Sequence, residues 1–275
     1  MNDQQRQFTI KVPATSANIG PGFDVVGLSL SLYLTLTVTL LDTPLAIPPV
    51  ITYSGEGSDE VPLDAYKNLT TRVALYVLRC HGIQKFPPMS MHAHNEIPFG
   101  RGLGSSGAAV IAGVLLGNTL GDLKLSVSRM LDFALMVERH PDNVAAALIG
   151  GFVGSYLREL DSAATEAASV PLSEVLPEYP PDAGENWGRD PPMPPLGIGH
   201  FIKFGWAKEI RALAIIPRFE LSTAKARDVL PSTYSRRDLV CPRRTVFVCH
   251  LILLNAGFQH AAISCFDDSI GTVTS

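Results

Sequence analysis

The sequence has little cysteine, no surplus of positive charge and no long hydrophobic run. Its four cysteines (Cys80, Cys241, Cys249 and Cys265) are scattered through 275 residues, a pattern that suits a reducing compartment and argues against a disulfide framework. The formal net charge of -4 provides no global attraction for nucleic acid or anionic lipid, while leaving room for a local positive pocket. Ala108–Leu116 and Val246–Leu254 are the longest apolar runs, and both fall short of the ~18–20 residues that span a bilayer. The N-terminal MNDQQRQFTIK lacks the apolar core of a secretory signal. These absences lead us to expect a soluble, cytoplasmic protein with no nucleic-acid or membrane partner. The 46% hydrophobic content supports a compact core.

What is present begins with a strand. From Leu28 to Leu40 the chain reads LSLSLYLTLTVTL, and this alternation predicts a long half-buried strand. Phe8–Val12 reads as a shorter strand, and the intervening PATSANIGPGFD as a loop rich in Gly, Pro, Ser and Asn. Leu69, Val73, Tyr76 or Val77, and Cys80 recur at helical spacing, predicting an amphipathic helix over Asn68–Cys80. Met89–His94 reads as a short strand. Ala108–Leu120 reads as a buried helix, Ser126–Glu138 as a second helix halted by Pro141, and Asn143–Ile149 as a third closed by Gly150-Gly151. Phe152–Leu157 reads as a strand. Residues 162–198 are rich in Pro, Ala and Glu with little periodicity and read as an exposed insertion or linker. FIKFG and IRALAIIP then read as strands, and LSTAKARDVLP opens a helix. Mixed elements without regular βαβ alternation predict an α+β fold in two parts.

The strongest chemical signal is Ile97–Ala108, IPFGRGLGSSGA. Its glycines let backbone N–H groups approach an anion closely, Ser105 and Ser106 add hydroxyls, and the following helix aims its positive end at the same point. A nucleotide triphosphate is the natural occupant. No lysine closes the loop, which excludes a Walker A motif. Gly102, Gly104 and Gly107 spell the GxGxxG dinucleotide fingerprint, but the loop lies far from the first strand and follows an acidic, proline-containing turn.

The string P-x-x-x-G-L-G-S-S-x-A resembles the ATP-binding motif of the GHMP kinases. VPATSANIGPGFDVVGLSL, ERHPDNVAAALIGGF and LSTAKARDVLP resemble segments of homoserine kinases, fungal-type ones in particular, over roughly residues 8–240. The resemblance implies a two-layer GHMP kinase architecture: an α/β nucleotide-binding domain (1–161), the insertion (162–198), a partial α+β C-terminal domain (199–240) and a divergent tail (241–275). It implies ATP as co-substrate, L-homoserine as acceptor in threonine biosynthesis, and Mg2+, and it allows a homodimer. Pro98, Gly100, Arg101, Gly102, Leu103, Gly104, Ser105, Ser106, Gly107 and Ala108 would line the ATP site, joined by Asn68. Ser105 and Glu138 would hold Mg2+. Asn18, Asp24, His140, Thr223 and Arg227 would contact the substrate, with Asp24 suited to its ammonium and Arg227 to a carboxylate or phosphoryl oxygen. Asp142, Asn143 and Arg227 are the catalytic candidates. Some GHMP kinases place an aspartate base where this sequence has Asn143, which cannot take a proton, so catalysis by orientation and electrostatics is expected.

Each residue has a plainer reading. Asn18 and Asp24 can cap turns in a Gly/Pro loop, His140-Pro141 can be a helix stop, Asp142 and Asn143 can cap the next helix, and Arg227 can be a solvated charge. Glu138, in the last turn of a helix, opposes the helix dipole. The family pattern stops after Val240, which leads us to expect a truncated isoform or an altered exon boundary, and little kinase activity from this chain. Cys249, His250, His260 and Cys265 match no usual zinc spacing. A non-catalytic ATP-binding fragment, a GHMP kinase for another small alcohol and a dehydrogenase are the competing functions.

Overall fold

In a computed structural model the described residues are 6–19, 22–42, 49–178, 188, 190–207, 209–210, 214–217, 233, 258–260 and 272–274. The element order is β1 (Gln7–Ala17), β2 (Val26–Leu40), β3 (Val50–Gly55), α1 (Leu69–Cys80), β4 (Met89–Asn95), α2 (Ser105–Leu120), α3 (Val127–Glu138), α4 (Pro141–Ile149), β5 (Phe152–Leu157), α5 (Ser162–Ala168), α6 (Leu172–Val175), β6 (Gly199–Phe204), β7 (Ile215–Pro217), β8 (Phe258–His260) and β9 (Thr272–Thr274).

One mixed sheet carries the fold, in the order β3-β4-β2-β1-β9, with β5 pairing both β2 and β6. The length of β2 lets it serve two neighbours on one side. Leu34–Leu40 pairs with β4, while Val26–Leu28 pairs with β5. Leu28, Leu30, Leu34, Leu36 and Val38 are buried, as the alternation requires of a strand with one face on the core. β3 and β4 are parallel, with α1 between them in the chain, a single βαβ unit in an otherwise antiparallel sheet. β7 and β8 form a separate two-stranded sheet.

The first strand is longer than its composition suggests. β1 runs through Ala17, so Pro13–Ala17, read from the sequence as loop, is strand. Proline enters the ladder at a register shift between Pro13 and Ala14, where a missing N–H is tolerated.

The helices lie against one face of the sheet. α2 is apolar all round, and Val110, Ile111, Val114 and Leu116 have no exposure, the signature of a helix buried on every side. α1 can approach it closely because α2 carries glycine at one contact point per turn. A Cβ at Gly113 would come within 2.5 Å of the Thr70 carbonyl oxygen, and one at Gly117 within 2.8 Å of the Ala74 carbonyl oxygen. Arg72 of α1 donates to the carbonyls of Leu176 and Pro177, and Val175, Leu176 and Ile198 are buried. The described part of 162–198 therefore contains two short helices and contributes to the core. β6, which follows that segment, pairs with β5, so the sheet continues across it. Among the described residues no helix is long and apolar enough to cross a membrane.

Candidate active site

The glycine loop leaves β4 through Asn95, whose side chain accepts from Ile97 N at 3.0 Å and donates to the carbonyls of Glu56 and Ile97. Gly100, Gly102 and Gly104 all have positive φ, a conformation open to glycine at little cost. Gly104 ends the loop as the N-cap of α2 in the left-handed conformation, with no side-chain cap. The first N–H groups of α2 are thus left without a side-chain acceptor from the cap. The helix starts at Ser105, three residues before the predicted Ala108, because the left-handed Gly104 makes the break and its carbonyl already accepts from Ala108 N.

Facing this loop is the turn from α3 to α4. α3 ends at Glu138, Arg139 adopts the left-handed conformation as C-cap, and His140 is the extended N-cap of α4, with Pro141 in its first turn. α4 therefore begins two residues before the predicted Asn143, with proline at a position where its missing N–H costs nothing. Arg139 turns away and donates to the carbonyls of Ala168 and Val170, so its charge is directed at the end of α5 and not at Glu138.

Glu138 accepts a hydrogen bond from the Ser106 hydroxyl, which joins the first turn of α2 to the last residue of α3. The sequence pairs Glu138 with Ser105 as metal ligands; the hydroxyl in contact here is the next one along. His140 lies between two carboxylates, with Nδ1 2.8 Å from Asp142 Oδ1 and Nε2 3.5 Å from Glu138 Oε2. The hydrogen bond to Asp142 raises its pKa above the ordinary 6.5; burial opposes this, while the charges of Asp142, Glu138 and Asp24 add to it. Only the imidazolium donates from both nitrogens, so its position between two acceptors favours the charged form.

Asp142 Oδ1 also accepts from Asn143 N at 2.8 Å. Asp24 completes the group, with ligand atoms of Asp24, His140 and Asp142 all within 4.8 Å of one another. The Asp24 N–H donates to Asn18 Oδ1 at 2.8 Å, and both residues have positive φ, so the loop between β1 and β2 closes on itself and brings Asp24 to His140. Asn18 thus caps the turn, and Asp24 meets the His140–Asp142 pair.

Asn68 caps α1. It is buried, accepts from Thr70 N at 3.0 Å and from Thr71 N at 3.5 Å, and donates to Pro62 O. Thr223 and Arg227 lie outside the described residues, as do Cys249, His250 and Cys265 of the tail.

The sequence reading passed over Thr15. Its hydroxyl donates to Asn143 Oδ1 at 2.7 Å and its N–H to the Leu103 carbonyl at 3.0 Å. A Cβ at Gly104 would come within 2.0 Å of its Oγ1. The available signal is a hydroxyl residue inside VPATSAN, obscured by the loop composition that begins at Pro13.

Residues 68–151 match the family described as GHMP kinases N terminal domain, a span that contains the glycine loop, Glu138, His140 and Asn143. The chain is 53% identical over 244 residues to a homoserine kinase of Saccharomyces cerevisiae, covering 86% of this chain and 68% of the yeast protein. Identity to the homoserine kinase of Schizosaccharomyces pombe is 48%, over 86% of this chain and 66% of that one. The chain belongs to the homoserine kinase family. It spans about two thirds of the length of these relatives. A crystal structure of homoserine kinase from Cytophaga hutchinsonii superposes with a TM-score of 0.62 at 25% identity, over 90% of this chain and 67% of that one.

Family membership identifies the glycine loop as part of a GHMP kinase and makes ATP the co-substrate. It also agrees with the mixed α/β architecture built on one sheet. The dinucleotide reading of Gly102, Gly104 and Gly107 is set aside, since the GHMP match spans all three.

Proposed function

We propose that this site transfers the γ-phosphoryl group of ATP to the hydroxyl of L-homoserine, giving O-phospho-L-homoserine in threonine biosynthesis. The observation that carries the reading is convergence. The glycine loop and the N-terminus of α2 meet the Glu138–His140–Asp142 line through Ser106, and Asp24 adjoins that line from the opposite side of the chain.

Backbone N–H groups of the loop and of the first turn of α2 bind phosphate oxygens, aided by the helix dipole. The donor set near them suits Mg2+: a carboxylate from Glu138 and a hydroxyl from Ser106, with Ser105 adjacent, are hard oxygen ligands of the kind that ion takes. When bound, Mg2+ neutralises charge on the β- and γ-phosphates. Asp24 pairs with the substrate ammonium, and Asn18 holds the loop that presents it. Arg227 and Thr223, outside the described residues, would complete the carboxylate and phosphoryl contacts.

Some GHMP kinases carry an aspartate base at the position that Asn143 matches, and a carboxamide has no basic lone pair to receive a proton. Rate enhancement therefore rests on alignment and charge complementarity, which phosphoryl transfer through a loose transition state chiefly demands.

The test is a coupled ADP-release assay on this chain with homoserine, mevalonate and galactose. Release stimulated by homoserine alone supports the proposal. Stimulation by another alcohol reassigns the substrate, and ATP binding without release identifies a nucleotide-binding chain that lacks catalysis.

A further inference from the structure

Thr15 belongs to no role assigned above, yet it touches both the glycine loop and Asn143. Its backbone is held by the strand, pairing with Ser29 of β2, and by the glycine loop through the Leu103 carbonyl. Its side chain is buried and occupies the space that a Cβ on Gly104 would need. Its hydroxyl reaches Asn143 Oδ1 at 2.7 Å.

The hydrogen-bond inventory sets the direction of that contact. Asp142 Oδ1 lies 3.4 Å from Asn143 Nδ2 and already accepts from Asn143 N and His140 Nδ1. An ionised carboxylate can only accept, so the end of the carboxamide facing Asp142 is its NH2 group. The carbonyl end then faces Thr15, which has to be the donor. We propose that Thr15 is a positioning residue: its hydroxyl holds the carbonyl end of the Asn143 carboxamide, whose NH2 group Asp142 orients, and so limits the motion of that side chain beside the glycine loop. Without the Thr15 proton, the carbonyl end loses its 2.7 Å hydrogen bond, and the carboxamide is held only through the 3.4 Å contact of its NH2 group with Asp142. The same side chain abuts Gly104, so loop and carboxamide are registered to one residue. The catalytic part of this assignment rests on the kinase reading proposed above; the Thr15–Asn143 link does not.

Thr15→Val keeps the shape and removes the proton, whereas Thr15→Ser keeps the proton. In the 15N-labelled chain, the side-chain NH2 resonances of Asn143, assigned by their loss in Asn143→Ala, should shift and exchange faster with solvent in Thr15→Val. In the same variant kcat for homoserine-dependent ADP release should fall roughly tenfold, the equivalent of one buried hydrogen bond, with KM for ATP changed less than about twofold. Thr15→Ser should restore both readouts. If Thr15→Val does not fold, Thr15→Ala replaces it in the same comparison. Unaltered Asn143 resonances in the variant lacking the hydroxyl overturn the proposal. So does a serine variant as impaired as valine, which would leave only a packing role. If the unaltered chain shows no turnover with homoserine, as expected above for this chain, the NH2 resonances alone decide whether Thr15 holds Asn143.

Discussion

The hydroxyl of Ser106 donates to the carboxylate of Glu138, so the first turn of α2 and the last residue of α3 meet side chain to side chain. A carboxylate at a helix C-terminus is unfavourable to the helix itself. Its partner in the first turn of α2 provides a reason for its position. Glu138→Gln keeps the size and removes the charge, and should lower kcat by at least about tenfold while raising the Mg2+ concentration needed for half-maximal rate. Ser106→Ala should shift that Mg2+ dependence more than Ser105→Ala, because the contact is made by Ser106. ADP release measured across a Mg2+ titration checks both, and unchanged kinetics in Glu138→Gln removes that residue from the site.

Gly102 and Gly104 share a left-handed backbone but differ in their surroundings. A Cβ at Gly102 meets nothing within 4 Å, whereas one at Gly104 would lie 2.0 Å from Thr15 Oγ1. Alanine at either position should cost about 1–2 kcal/mol of backbone strain. Gly104→Ala should in addition displace Thr15 or the loop and weaken nucleotide binding, leaving it the more damaged of the two. Thermal midpoints and ATP titration of the two variants test the difference; equal behaviour would mean that Thr15 yields freely.

His140 makes stability depend on pH in a defined direction. Its folded pKa is raised, first by the hydrogen bond to Asp142, so folding favours the protonated ring. The resulting stabilisation is fully present below the unfolded value of about 6.5 and is lost as pH rises through the higher folded value. Urea unfolding in Mg2+-free buffer from about pH 5.5 to 9 should show this decline, and His140→Gln should flatten it. NMR titration of the ring places the folded pKa directly; a value at or below 6.5 contradicts the expectation.

Asp132 of α3 holds β6 in place from inside the core. Its carboxylate is buried, accepts from Gly197 N at 3.0 Å and Ile198 N at 2.8 Å, and pairs with Arg129 at 3.2 Å. Asp132→Ala leaves two backbone donors without an acceptor and the Arg129 guanidinium with the Pro195 carbonyl in place of a counter-charge, and should cost about 3 kcal/mol or more. Chemical denaturation measures the loss. A change under about 1 kcal/mol would show that water replaces the carboxylate.

The site was partly legible in sequence, for different reasons at different residues. The glycine loop could be read because a run of glycines before an apolar helix is a local pattern with one physical use. Asp24, His140 and Asn143 could be named only through resemblance, since nothing local separates a site residue from a turn cap, and in the structure Asn18 caps the turn that carries Asp24. Thr15 was missed because Pro13–Ala17 has loop composition, and its strand character depends on pairing with the first half of β2. Asn68, named for the nucleotide pocket through resemblance, also caps α1 and holds Pro62 with its side-chain amide.

By itself the sequence determined what depends on neighbours along the chain: the alternation of β2, the apolar character of α2, the glycine break before it and the family signature those segments carry. Tertiary structure alone decided which serine meets Glu138, that His140 bridges two carboxylates, and that Thr15 faces Asn143 across 128 positions of chain. The physical reason is range. Strand and helix periodicity are set by backbone geometry within a few residues, whereas a hydrogen bond requires placement to a fraction of an ångström, which only the packing of α2, α3 and α4 on one shared sheet provides.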